Sequence, residues 1–151
     1  MIRETIQKEV VAAMKGGDRK RTAALRLVTA KIKDRDIEQR TAASTPADDE
    51  LVQDVLLKMA KQRRESIAMY DDGGREELAD QERFELAVIE EFLPRQMDES
   101  ETRAAIAAIK SDLAAAGLKD MGRVMAELKA RHGASLDMTR ASALVKESLS
   151  A

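Results

Sequence analysis

The stretch Glu85-Leu86-Ala87-Val88-Ile89-Glu90-Glu91-Phe92-Leu93-Pro94-Arg95-Gln96-Met97-Asp98-Glu99-Ser100-Glu101 holds the end of one helix, a stop and the start of another. Leu86, Ile89 and Leu93 recur at the spacing of one helical face. Pro94 cannot donate a backbone hydrogen bond and disfavours helical geometry in Leu93, so the helix ends there. Asp98 followed three residues later by Glu101 is a capping signature. The pattern predicts a boundary at Pro94, with a helical subdomain 1–94 before it and a second, 95–151, after it.

Upstream, Ile2, Ile6, Val10 and Met14, with Ala13 beside them, form a narrow stripe on a helix over Ile2 to Lys15 that Gly16-Gly17 ends. Asp18 is placed to cap a second helix reaching about Arg40, with Leu25, Val28 and Ile32 inward. Thr45-Pro46 followed by Asp48, Asp49 and Glu50 reads as N-cap, proline at the first helical position and acids in the first turn. That third helix runs to about Tyr70 with Val52, Val55, Leu56, Met59 and Ile67 inward, and Asp71-Asp72-Gly73-Gly74 breaks it. A fourth covers about Arg75 to Phe92, with Leu78, Leu86, Ile89 and Leu93 as its core positions. Downstream, Asp98 starts a helix through Ala115 with Ile106, Ile109 and Leu113 inward, closed by Gly117. Asp120 starts a helix bearing Met121, Val124, Met125 and Leu128, closed by Gly133, and Asp137 starts the last, bearing Ala141, Leu144, Val145 and Leu149. About four helices precede the boundary and a three-helix bundle follows it, with no repeat at a fixed period.

Composition agrees with this all-α reading. Of the 44% hydrophobic residues, 25 are Ala and only 16 are Val or Ile, a weighting toward helix formers over strand formers. The absence of Cys rules out disulfide frameworks, thiol catalysis, iron–sulfur clusters and Cys-based zinc sites. No apolar run approaches the ~20 residues of a membrane span, and charges at Arg3, Glu4, Lys8 and Glu9 stand where a signal peptide would have its apolar core. A cytoplasmic protein with no membrane contact is expected. The net charge of −2 hides a division: residues 1–40 carry +5, residues 41–94 carry −8 and residues 95–151 carry +1.

Several patterns bear on chemistry. His132 is the only histidine, so metal sites built on two histidines cannot form, and beside Arg131 ahead of Gly133 it reads as a cation at a helix C-terminus. Gly117-Leu118-Lys119-Asp120-Met121-Gly122-Arg123-Val124 has the glycine spacing of a phosphate loop without the Lys-Ser/Thr that reaches phosphate and magnesium, and no strand precedes it. It reads instead as a helix stop, a cap at Asp120 and a small residue, Gly122, where two helices approach closely. Glu82 and Glu85 share a face with Leu78 and Ile89. Arg63 falls in the inward progression Val52, Leu56, Met59, Arg63, Ile67, Tyr70, and a partly buried guanidinium needs a carboxylate. An Arg63 pair with Glu82 or Glu85 is predicted.

Arg19, Arg26, Lys33 and Arg40 recur every seven residues and form one slowly drifting ridge, while Lys58, Lys61 and Arg64 form a second, shorter one. Such ridges suit a phosphate backbone; the alternative is a solvated face laced to Asp34, Asp36 and Glu38. Tyr70, Phe84 and Phe92 are the only aromatics, too few for base-stacking platforms.

Lys61-Gln62-Arg63-Arg64-Glu65-Ser66 with Tyr70, Gly73-Gly74-Arg75, Glu82, Glu85-Leu86, Leu93-Pro94 with Gln96, Asp120-Met121-Gly122-Arg123-Val124-Met125, Gly133, and Asp137 with Val145-Lys146 and Leu149 stand in the order and at the separations of the YqeY family, which this sequence resembles over nearly its whole length. Where the family often has Lys after the motif glycine, Arg123 keeps the charge. The family is similar to the C-terminal tail of GatB, a subunit of the tRNA-dependent amidotransferase. The resemblance implies two helical subdomains and a link to tRNA. It also implies a label of carbon–nitrogen ligase with glutamine as amide donor, inherited from the multidomain enzyme, whose catalytic domain has no counterpart here.

The expected function is a noncatalytic, tRNA-associated helical module without cofactor or metal, its partner tRNA or a tRNA-amidating complex and not DNA. Arg19, Arg26 and Lys33 are its candidate RNA contacts, Lys119 and Arg123 a second set, with Asp120 and Gly122 holding the local backbone. The alternative is an adaptor in which a groove between the subdomains, or the Met121 and Met125 face, accepts a partner helix. Amidotransferase activity by the chain alone would require ATP- and glutamine-dependent turnover, for which no nucleophile or nucleotide site is visible.

Overall fold

Each break read from glycine, proline and capping residues separates two helices in the structure, a computed structural model that describes residues 1–150. Among the described residues there are seven α-helices and no strand: α1 (Ile2–Lys15), α2 (Arg19–Gln39), α3 (Asp48–Asp72), α4 (Glu76–Glu90), α5 (Glu99–Leu113), α6 (Met121–His132) and α7 (Met138–Ser150). Short 3-10 turns at Leu118–Asp120 and Gly133–Ser135 flank α6. The chain divides into two compact units, Met1–Leu93 with α1 to α4 and Pro94–Ala151 with α5 to α7. None of these helices is long and apolar enough to cross a membrane.

In the first unit α3 and α4 form the most extensive helix pair. Ile6, Val28, Ile32, Val52, Leu56, Met59, Ile89 and Leu93 make its main core, and Leu25, Ala24, Ala13 and Val88 make a second cluster edged by Phe84 and Phe92. Two expectations about faces fail. Leu78 is 43% exposed while Ala79 is fully buried, because the inward stripe of α4 runs through Ala79, Leu86 and Ile89. The short connection from Asp72 to Glu76 keeps α3 and α4 close there, and the alanine takes the inner position. Met14 is likewise exposed, and Ala13 is buried in its place.

Helix ends show what capping chemistry selects. The Asp18 carboxylate accepts a hydrogen bond from the Arg21 N–H, as its cap position requires. Thr45-Pro46 does not start α3, which begins two residues later with Ala47 as its N-cap and no side-chain cap. The reason lies in α1: the Asp49 carboxylate accepts a hydrogen bond from the Ile2 N–H at 3.0 Å, capping α1 from the first turn of α3. Arg3 adds bonds to Asp36 and Asp48, which tie the starts of α1 and α3 to the end of α2.

In the second unit Ile106, Ile109, Val124, Leu128, Leu136, Leu144, Val145 and Leu149 form the core. Asp98 and Glu101 make the reciprocal capping box at the start of α5. Gly117 does not close that helix; Ala114 does, in the left-handed region at φ 51. The Ala115 N–H bonds to the Lys110 carbonyl and the Ala114 N–H to that of Ser111, the Schellman arrangement. Alanine is strained there by its Cβ. Ala114→Gly is therefore expected to stabilise the protein by about 1 kcal/mol, read as a rise in the midpoint of urea unfolding; a lower midpoint would refute this account of the turn.

Candidate nucleic-acid interface

In the first unit most arginines are consumed by the fold. Arg21 bridges Glu9 and Glu91, Arg35 pairs with Asp54, Arg64 with Glu90, and Arg83 with Asp71 and Asp80. All but Arg83 with Asp80, which lies within α4, join different parts of the helical unit. Arg19, Arg26 and Lys33 are different: all three are exposed, and no carboxylate among the described residues lies within ion-pair distance of them. Of the acids Asp34, Asp36 and Glu38, two are engaged elsewhere, Asp36 with Arg3 and Glu38 with Arg35, and Asp34 is not within ion-pair distance of the ridge. Arg26 makes one weak contact, with the Met14 sulfur at 3.6 Å. Beside the start of the ridge an open depression of ≈ 320 Å³ is bounded by Met14, Gly17, Asp18, Arg19, Ala23 and Arg26. Gly17 allows that corner, because its φ of +71 suits a residue without a Cβ.

The second ridge does not persist. Lys58 pairs with Asp54 and Arg64 with Glu90, leaving Lys61 between them. Lys20, adjacent to the first ridge, lies 4.2 Å from the centroid of the Phe84 ring, a cation–π contact that sequence spacing did not reveal.

In the second unit the candidate residues have separate duties. The Asp120 carboxylate reaches back to accept the Ala116 N–H at 3.0 Å and also accepts Arg123 Nη2 at 2.8 Å. These bonds, the backbone one first, hold its carboxyl below the usual range. Asp120 thus ties down the α5–α6 connection and makes no side-chain cap to α6. Arg123 also donates to the Leu113 carbonyl at the end of α5, so it is a staple of that turn. Lys119 is exposed with no ion pair among the described residues. Gly122 is not a point of close approach: it lies in the first turn of α6, and a Cβ there would meet open space. Pro94 offers its carbonyl to Gln96 Nε2, which also donates to the Ala134 carbonyl, both at 2.9 Å. The sequence marked Gln96 only as a letter of a motif. This two-carbonyl bridge, which holds the start of the unit to the α6–α7 turn, was not read from it.

Arg63, Glu82 and Glu85 come together between α3 and α4. Arg63 Nε donates to Glu85 Oε2 at 2.7 Å and stands 3.3 Å from Glu82 Oε2. A guanidinium Nε carries one hydrogen, and Glu85 takes it. Glu82 Oε2 is left buried without a hydrogen bond. Burial, opposed by Arg63 and reinforced by Glu85, raises the Glu82 carboxyl above its ordinary value. A group with a raised folded pKa contributes stability that is full below the unfolded value, ~4.3, and is lost as pH rises through the folded one. Glu82→Gln is expected to flatten that loss and to leave the protein more stable than wild type at neutral pH. Urea unfolding between pH 4 and 7 measures it, and parallel profiles for the two proteins would refute it.

A family model described as Yqey-like protein matches residues 3–149, nearly the whole chain. No curated protein matches.

Proposed function

Because the chain belongs to the YqeY family, we propose that it is a noncatalytic helical module of the cytoplasm that associates with tRNA, or with a tRNA-amidating complex, through backbone charge. The observation that carries this reading is the division of labour among its cations. Arg3, Arg21, Arg35, Arg63 and Arg83 are bonded to carboxylates of the fold, whereas Arg19, Arg26 and Lys33 are left to solvent along one helix. Contacts to phosphate position a protein without reading sequence, and their strength falls with salt as counterions are no longer released. Lys119 is one exposed cation of the second unit without an ion pair among the described residues. Arg123, held by Asp120, supports the turn that presents it.

Titration of total tRNA at low salt is the test. Binding should weaken steeply with salt, and Arg26→Glu with Lys33→Glu should weaken it by about tenfold or more. Failure to bind at low salt, or an unchanged affinity in the variant, would remove the proposal. A second reading, an adaptor that accepts a partner helix, is favoured by the exposed Val11, Met14 and Leu27 on α1 and α2; the Met121 and Met125 face expected for it packs instead against the core of the second unit. A pull-down that recovers protein but no RNA after nuclease treatment supports it over the first. A carbon–nitrogen ligase activity of the isolated chain would show as ATP- and glutamine-dependent turnover, and none is expected.

A further inference from the structure

The α2 ridge presents exposed cations at fixed intervals on one face. Arg19, Arg26 and Lys33 stand ~10.5 Å apart along a single uninterrupted helix. Ala23 and Ala30, both exposed, fall between them on the same face. No aromatic side chain is exposed among the described residues: Tyr70, Phe84 and Phe92 are half-buried, and Phe84 lies under Lys20.

We infer that this ridge takes the backbone of an A-form RNA duplex, a stem, and not a single strand. The inference rests on the RNA reading above and narrows its ligand. Proteins that hold single strands combine a basic groove with aromatic rings on which bases stack, and this face has no ring. Duplex RNA is recognised by shape, through phosphates and 2′-hydroxyls across a wide, shallow minor groove. A helix whose central residues end at a methyl group can approach such a surface closely, with cations on either side of each alanine. The cations are also preorganised: α2 is continuous from Arg19 to Gln39, so their spacing is set before binding. A stiff duplex matches a fixed spacing with less ordering than a flexible strand, which would lose conformational freedom on the same ridge. B-form DNA admits a helix only in its major groove and carries no 2′-hydroxyl, so it presents this ridge with a different surface from that of an RNA stem.

The test uses the full chain and three labelled probes of one sequence: an RNA hairpin with a stem of about 16 base pairs, one of its strands, and the DNA duplex. Fluorescence anisotropy at about 50 mM salt should show the RNA stem bound at least about tenfold more tightly than either other probe. Ala30→Tyr, a change on an exposed position, should weaken the stem by about tenfold and leave the single strand no weaker, because a ring blocks close approach and offers stacking. Equal affinity for stem and strand, equal affinity for DNA, or an Ala30→Tyr protein that binds the stem as wild type does would overturn the inference. If total tRNA binds but stem and strand do so equally, this inference alone is lost; if no RNA binds, the RNA reading is lost with it.

Discussion

Arg63→Ala is expected to destabilise the protein by about 3 kcal/mol, near the low end for breaking a buried ion pair. The side chains of Arg63, Glu82 and Glu85 are 16%, 21% and 14% exposed, so solvent screens them little. Removing the guanidinium leaves two carboxylates facing each other in a poorly hydrated seam between α3 and α4. The cost arises from the stranded charges more than from the lost bond. Two consequences distinguish this account from simple loss of packing. The penalty should shrink as pH falls toward the carboxylate range, where protonation removes the repulsion, and it should shrink again when Arg63→Ala is combined with Glu82→Gln and Glu85→Gln. A penalty independent of pH, and unrelieved in the triple variant, would assign Arg63 to packing by its alkyl stem. Urea unfolding at pH 7 and pH 5 gives both answers.

Leu128→Ala should have an effect as large, in the other unit. Leu128 is fully buried, in a core with Ile106, Ile109, Val124, Leu136 and Val145. Deleting a buried leucine to alanine costs ~2–5 kcal/mol according to the cavity left behind. A single core of fewer than about 70–80 residues rarely supplies more than ~3–5 kcal/mol, so this one change is comparable with everything the core contributes. Amide hydrogen exchange in α5, α6 and α7 is expected to accelerate toward that of an unfolded chain. Retained protection across the three helices would mean that the unit draws stability from elsewhere than this core.

Much of the architecture is legible in the sequence because its signals are local. Asp18, Gly73-Gly74, the Asp98 and Glu101 pair, and Gly133 act on backbone within a few residues of themselves, and each marks a helix end; Leu93-Pro94 follows the end of α4, which stops at Glu90 instead of about Phe92. Arg63 could also be assigned a carboxylate, since a charge on an inward stripe needs one and Glu82 and Glu85 share a face of the following helix. Less legible were cases in which the competing partner is distant in the chain. Asp49 looks like a first-turn acid of α3, yet it caps α1. Asp36 and Glu38 look like partners for the α2 ridge, yet Arg3 and Arg35 hold them. Gly122 looks like a packing glycine, yet space around it is open.

The sequence by itself determined that the chain is helical, that its helices are separated near the glycine, proline and capping signals, and that any RNA contact must rely on charge without stacking, because propensity, capping and composition are properties of neighbouring residues. Only the tertiary structure decided which charges remain available. Ion pairing between helices joins residues from 12 apart in sequence, as Arg21 with Glu9, to 70 apart, as Arg21 with Glu91. The −2 net charge and even its division into +5, −8 and +1 treat every cation alike. Folding separates them into those bonded to carboxylates of the fold and those, Arg19, Arg26 and Lys33 among them, that are left facing water.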